Sequence, residues 1–275
     1  MIKRTLKNVW SPQRRNRRDV DVYLPASYLS GVPYPVVYMK DGQNLSDPST
    51  AFAGTWDLEA TIDRLAWRGI DAIYVGIHNT GRKRLEEYSP FSDPRHGGGA
   101  ADEYLAFVVH TLKPRIDRMF NTRPDRDATA ILGSSMGGLV SLYAYFRYPS
   151  VFGRAGVMSP SIWFGQGAIV DFIRDSSVPR GRVYLDVGTG EGAGTLRDVR
   201  RLGRLLVRKG FRRKRPARHV AQAYRPATAA FNPRTTGGRC SPASSTLRYV
   251  EDAGARHTEA AWAWRLEGAL TFLLE

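Results

Sequence analysis

Ser135 has the setting that most clearly invites chemistry. It lies at the centre of Gly133-Ser134-Ser135-Met136-Gly137, a G-x-S-x-G pattern. With Gly at about 7% of residues, and Ser similar, roughly one chain in ten of this length carries the pattern by chance. The flanking residues say more. Ala128–Leu132 is an apolar, strand-like run and Leu139–Tyr145 a helix-like one, so the order reads strand, sharp turn, helix. Glycine lets the chain turn sharply and lets strand and helix approach closely. A serine exposed on such a turn becomes a nucleophile once a base takes its proton.

The base is usually a histidine held by a carboxylate. Where the nucleophile sits on a strand–turn–helix elbow, the chain order is Ser, then Asp or Glu, then His. His257 follows the last strand-like run, on a Gly254-Ala255-Arg256 loop just before the final helix, where the base belongs. His78, His96 and His110 precede the elbow and read as a strand-end, a loop and a helix residue. His219 lies in a basic segment ahead of the last strand. Glu191, in the loop that ends the Val183–Val187 strand, is the first choice of acid, with Asp252 second. Asp186 lies inside that strand, and Asp198 stands three residues after Thr195 as a capping box would place it. An oxyanion hole needs backbone N–H groups. Met136, directly after the nucleophile, supplies one. Gln43, in the Asp41-Gly42-Gln43-Asn44 loop, supplies the other unless that loop is an ordinary Asp-Gly turn.

These residues need a scaffold that brings distant segments together. Strand-like runs at Val20–Leu24, Pro35–Met39, Ala72–Ile77, Ala155–Met158, Val183–Val187 and Leu247–Val250 alternate with helix-like runs. The helices read as Trp56–Leu65, Tyr104–Ile116, Leu196–Val207 and Glu259–Leu274. Alternation of this kind predicts an α/β chain, mostly parallel in its sheet and covered by helices on both faces. Residues 1–275 read as a single domain. Residues 211–246 break the rhythm and are rich in Arg, Pro, Thr, Ser and Gly. They read as a mobile surface insertion, with a lid and an anionic-surface tether as alternatives.

The net charge of +15 suggests nucleic acid until its distribution is inspected. Residues 1–18 carry seven Lys or Arg, residues 211–250 carry nine, and neither stretch holds an acid. The remainder sets 25 basic residues against 26 acidic ones, so the excess sits in an N-terminal arm and one late segment. Nucleic acid is therefore not the expected partner. No apolar run approaches the roughly 18 residues of a membrane span, and no leader pattern is read, so a cytoplasmic location is the expectation. The single cysteine, Cys240, excludes an intrachain disulfide. No Walker A pattern, His-Glu-x-x-His pair or Cys/His cluster is present, so no metal or cofactor is expected. Gly188–Ala193 also fits a dinucleotide-binding G-x-G-x-x-G/A pattern, but no acid follows at the required distance.

Five ordered blocks carry a family resemblance. They are Tyr38-Met39-Lys40-Asp41-Gly42-Gln43-Asn44-Leu45, Arg84-x-x-Glu87-Tyr88-Ser89-Pro90, Gly133–Gly138, Ser159-Pro160-Ser161-Ile162-Trp163 and His257-Thr258-Glu259-x-x-Trp262. Together the chain resembles the putative esterase family of α/β-hydrolases, a group similar to esterase D, feruloyl esterases, enterobactin-type siderophore esterases and mycolyltransferases. The resemblance implies the α/β-hydrolase fold and a carboxylic-ester hydrolase with Ser135 as nucleophile and His257 as base. It also implies that Trp163 borders the substrate pocket, core packing being the alternative, and that Arg84 and Glu87 form an ion pair holding a loop. Two positions depart from the family pattern: Lys40, where a His is common, and Ser46, where an aromatic is common. The expected function is a serine esterase acting through an acyl-enzyme on a small-molecule ester. An acyltransferase, or a protein that binds an acidic partner through its basic segments, is the alternative. The sequence leaves the oligomeric state open.

Overall fold

The computed structural model describes residues 1–29, 31–214 and 245–275. The insertion at 211–246, with His219 and Cys240, therefore lies mostly outside the described residues; only its two ends fall within them. Strands β1 (Ile2–Ser11) and β2 (Asn16–Leu24) form an antiparallel hairpin. Next come β3 (Val36–Lys40), helix α1 (Leu58–Ala66), β4 (Ile73–Ile77) and the short α2 (Arg84–Tyr88). A small ladder, β5 (Ser92–Asp93) with β6 (Gly97–Gly98), leads to α3 (Ala101–Phe107). A π-turn at Val108–Leu112 joins α3 to α4 (Lys113–Met119). Then follow β7 (Thr129–Ser134), α5 (Met136–Arg147), β8 (Arg154–Met158) and α6 (Ala168–Asp175). The described chain ends with β9 (Arg182–Gly188), α7 (Ala193–Arg208), β10 (Arg212–Lys214), β11 (Thr246–Asp252) and α8 (Glu259–Leu274).

The main sheet runs β1-β2-β4-β3-β7-β8-β9-β11-β10. From β4 to β10 every neighbouring pair is parallel, while β1–β2 and β2–β4 pair antiparallel. Alternation along each strand sends side chains to two cores. Val36 and Tyr38 of β3 pack on the face covered by α3, α5, α6 and α7; Val37 and Met39 pack on the face covered by α1 and α8. This is the expected α/β architecture. A parallel sheet gathers the C-terminal ends of its strands along one edge, and that edge holds the candidate site.

Several local readings need correction. Residues 1–18 are not a free arm: they form β1, the turn after it and the start of β2, and Arg18 is buried against Glu87. The insertion's first residues are ordered, since Phe211 is buried and β10 follows it. Helix α7 begins at Ala193, after Gly192 turns the chain at φ 99°, so Thr195 lies inside the helix and the capping-box reading of Asp198 falls. Helix α6 was not anticipated.

Lys40 is the most unusual core residue. It ends β3 fully buried, and its Nζ has no hydrogen-bond partner among the described residues. The ammonium sits 4.9 Å from the centre of the Tyr104 ring. Burial, then the nearby Arg18, lower its pKa to about 7 against a partial pull from Asp41. The unfolded lysine keeps its ordinary pKa and binds more protons than the folded one between those two values. Stability therefore rises with pH across that window. The variant Lys40→Met is expected to be more stable than the wild type near pH 7, with an advantage that shrinks as pH approaches 10. Urea unfolding of both proteins across that range checks it; a constant difference refutes it.

Candidate active site

Ser135 lies between β7 and α5 with φ 55° and ψ −123°, a strained conformation for a residue with a side chain. Neighbouring backbone fixes it: its N–H donates to Met158 O at 3.0 Å, and Ser161 N–H donates to its carbonyl at 3.1 Å. The turn is as tight as the sequence implied. A Cβ on Gly133 would lie 2.6 Å from Gly137 O and 2.8 Å from the Lys40 side chain. The Ser135 hydroxyl thus stands at the N-terminus of α5, where helix dipole and free N–H groups favour negative charge.

Two other strand ends deliver the remaining groups. His257 Nε2 lies 3.0 Å from Ser135 Oγ, and His257 Nδ1 lies 2.8 Å from Glu191 Oε2. The His257 side chain is 40% exposed and that of Glu191 is fully covered, so the imidazole opens to solvent while its carboxylate does not. Burial pushes the Glu191 carboxyl up, but hydrogen bonds from His257, Ser159 and Gly188 outweigh it and hold its pKa below the usual carboxylate range. The loops that carry the pair run against each other. Thr189 N–H donates to Asp252 O at 2.8 Å, Gly190 N–H to Ala255 O at 2.9 Å, and Gly254 N–H to Thr189 Oγ1 at 2.8 Å. The N–H groups of Gly188 and Gly190 are spent on Glu191 and Ala255, so the Gly188–Ala193 run does not present them to a dinucleotide.

The other carboxylates face elsewhere. Asp252 accepts from Arg265 Nη1 at 3.2 Å, and Asp186 accepts from Arg265 Nε at 2.9 Å and from Ser159 N–H at 2.9 Å. His78 pairs with Asp21, His96 with Asp93, and His110 sits edge-on to Tyr148.

The loop after β3 faces the elbow. Asp41 adopts φ 54° and accepts two hydrogen bonds from Arg84, both 2.7 Å, and a third from Asn79 Nδ2 at 2.7 Å. Gln43 is held by Asn79 N–H, which donates to its Oε1, and by Thr50 Oγ1, which donates to its carbonyl. Gly42 has no room for a side chain, because a Cβ would sit 2.5 Å from the Gly76 backbone. Met136 opens α5 and Gln43 lies in the short helical turn Gly42–Asn44. The first N–H groups of a helical turn lack an intrahelical acceptor, which leaves both amides available. The expected Arg84–Glu87 pair is not formed. Arg84 binds Asp41, whereas Glu87 accepts from Arg18, Asn16 and Thr80. Trp163 follows Ser161, whose Oγ is 3.2 Å from Ser135 Oγ. Its ring is half exposed, with His96 edge-on at 5.5 Å, so it is not a core residue.

Sequence reasoning gave no role to Ser159 or Arg265, which lie against Glu191, or to Trp262, which donates to Ser159. Their signal was there in part. Asp186 inside an apolar strand and Arg265 on the apolar face of α8 are each costly alone, and each implies a partner.

A family model described as "Putative esterase" matches residues 11–272. The uncharacterised protein YbbA of Bacillus subtilis strain 168 is 27% identical over 220 residues, covering 75% of this chain and 84% of that one. The siderophore triacetylfusarinine C esterase of Aspergillus fumigatus is 28% identical over 144 residues, 50% of this chain and 48% of its own length. Among solved structures, an IroE-like serine hydrolase from Shewanella oneidensis superposes with a TM-score of 0.72 at 16% identity, over 99% of this chain and 80% of that one, which establishes a shared fold. The match across almost the whole chain makes it a member of the Putative esterase family: an esterase built on the α/β-hydrolase fold.

Proposed function

We propose that this esterase cleaves small carboxylic esters through an acyl-enzyme on Ser135, with His257 as general base and Glu191 as the carboxylate that orients it. The observation that carries the reading is the continuous hydrogen-bond chain from Ser135 Oγ through both ring nitrogens of His257 to Glu191. Glu191 accepts the Nδ1 proton, so Nε2 carries a lone pair toward the hydroxyl.

As Ser135 Oγ attacks the ester carbonyl, its proton passes to His257 Nε2. The carbonyl oxygen becomes an oxyanion held by the N–H groups of Met136 and Gln43. The tetrahedral adduct collapses, the alkoxide leaves, and His257 Nε2 protonates it. Water then attacks the acyl-enzyme by the same sequence and releases the acid and free Ser135. Every proton is returned, and no cofactor enters. Trp163 borders the opening through which the ester reaches Ser135. The serine hydrolase among the structural neighbours and the siderophore esterase among the relatives are consistent with this chemistry.

Three variants test the reading with a short-chain p-nitrophenyl ester. Ser135→Ala is expected to lower kcat by about 10⁴-fold or more while thermal unfolding stays near that of the wild type; undiminished turnover would sink the proposal. Glu191→Gln is expected to lower kcat by about 10³-fold or more, and Asp252→Asn far less, so the reverse ranking moves the carboxylate role to Asp252. Wild type quenched early in turnover is expected to carry one acyl group by intact mass, absent in Ser135→Ala. For the pocket, Trp163→Ala is expected to raise KM severalfold with kcat within about twofold.

A further inference from the structure

Ser159, directly after β8, has its hydroxyl surrounded by three polar partners. Trp262 Nε1 lies 3.1 Å from Ser159 Oγ and Arg265 Nη2 lies 2.9 Å from it. Both groups can only donate. They occupy the two acceptor positions of the hydroxyl, so its single proton must go to the third neighbour, Glu191 Oε1, at 2.5 Å. That oxygen also accepts from Gly188 N–H at 2.7 Å. With Oε1 taken, Oε2 is the oxygen left for His257 Nδ1.

The backbone is built around the same contact. Ser159 sits in the left-handed region at φ 40°, and its N–H is shared between the carbonyl of Asp186 at 3.1 Å and its side-chain Oδ1 at 2.9 Å. Trp262 touches both ends of the arrangement, because its ring also lies edge-on to the His257 ring at 4.9 Å. All of these side chains are buried except that of His257.

We infer that Ser159 is a positioning residue for the reaction: its hydroxyl, oriented by Trp262 and Arg265, clamps one oxygen of Glu191 and so fixes which oxygen, and in what direction, holds His257. The inference rests on the Ser135–His257–Glu191 reading. A donor to a carboxylate also favours its ionised form, so removing the Ser159 hydroxyl moves the carboxyl of Glu191 upward. The clamp therefore predicts an effect on pH dependence that mere packing does not produce.

The experiment measures kcat and KM for a p-nitrophenyl ester between about pH 5 and 9 with wild type, Ser159→Ala, Trp262→Phe and Ser135→Ala. Ser159→Ala is expected to lower kcat about tenfold to a hundredfold, the scale of one hydrogen bond to a charged group, with KM within about twofold. Its acid limb is expected to move toward neutral pH. Trp262→Phe keeps an aromatic side chain but loses the indole N–H donor, so it is expected to shift the same limb by less. Should Ser159→Ala fail to fold, as judged by circular dichroism, Trp262→Phe decides by the same limb. A kcat within about twofold of wild type, or a loss uniform in pH with the limb unmoved, overturns the clamp. Turnover surviving in Ser135→Ala overturns the reading beneath it, so the two failures are separable.

Discussion

The site depends on one buried guanidinium. Arg265, 5% exposed, reaches Asp186 on β9, Asp252 at the end of β11 and Ser159 just past β8. Burying an ion costs several kcal/mol unless geometry and hydrogen bonding are nearly complete. Here the guanidinium spends Nε, Nη1 and Nη2 on different partners, and Asp186 fills its second oxygen with the Ser159 N–H. Burial still pushes the Asp186 carboxyl up to about 6, against the downward pull of Arg265. Helix α8 cannot rotate or slide against three strand ends without stranding a charge. Since His257 sits two residues before α8, the same lock sets the distance from the imidazole to the strands.

Three neighbouring parallel strands end in the same unusual way. Asp41 after β3, Ser135 after β7 and Ser159 after β8 are non-glycine residues at positive φ, and the strands are adjacent in the sheet. Each such residue costs on the order of 1–3 kcal/mol and persists only where its surroundings over-determine it. The surroundings are named: Arg84 and Asn79 hold Asp41, Met158 O and Ser161 N–H hold Ser135, and Asp186 holds Ser159. The strain turns three chains outward at one edge. It places the candidate oxyanion loop, the candidate nucleophile Ser135 and the donor to Glu191 side by side.

Much of this was legible in the chain because parallel strands and amphipathic helices leave strong patterns. The elbow, the loop bearing Glu191 and the terminal helix from Glu259 all follow from apolar periodicity and glycine placement. What escaped lacks such a pattern. Strand β1 exposes seven of its ten residues, because the edge hairpin packs weakly on either face, and so it resembled a basic arm. Strand β10 is three exposed basic residues. The Arg84 and Glu87 partners were misread because adjacent charges in one block suggest each other, whereas burial joined each to a distant element. The role of Arg265 was hidden for the same reason: its three hydrogen-bond partners lie between 13 and 106 residues away.

The basic insertion raises one structural question, whether a long interruption just before β11 spoils the approach to His257. The register answers it. Strand β11 pairs with β9 without a break from Thr246–Arg182 to Asp252–Gly188, and β10 pairs with its other side from Arg212–Thr246 to Lys214–Arg248. The ends of the insertion are therefore fixed next to each other by the sheet itself, and the entropy of closing a loop grows only slowly with its length. Between β11 and His257 run only four residues, tied to the Glu191 loop by Thr189, Gly190 and Gly254. The position of His257 is thus set by contacts downstream of the insertion.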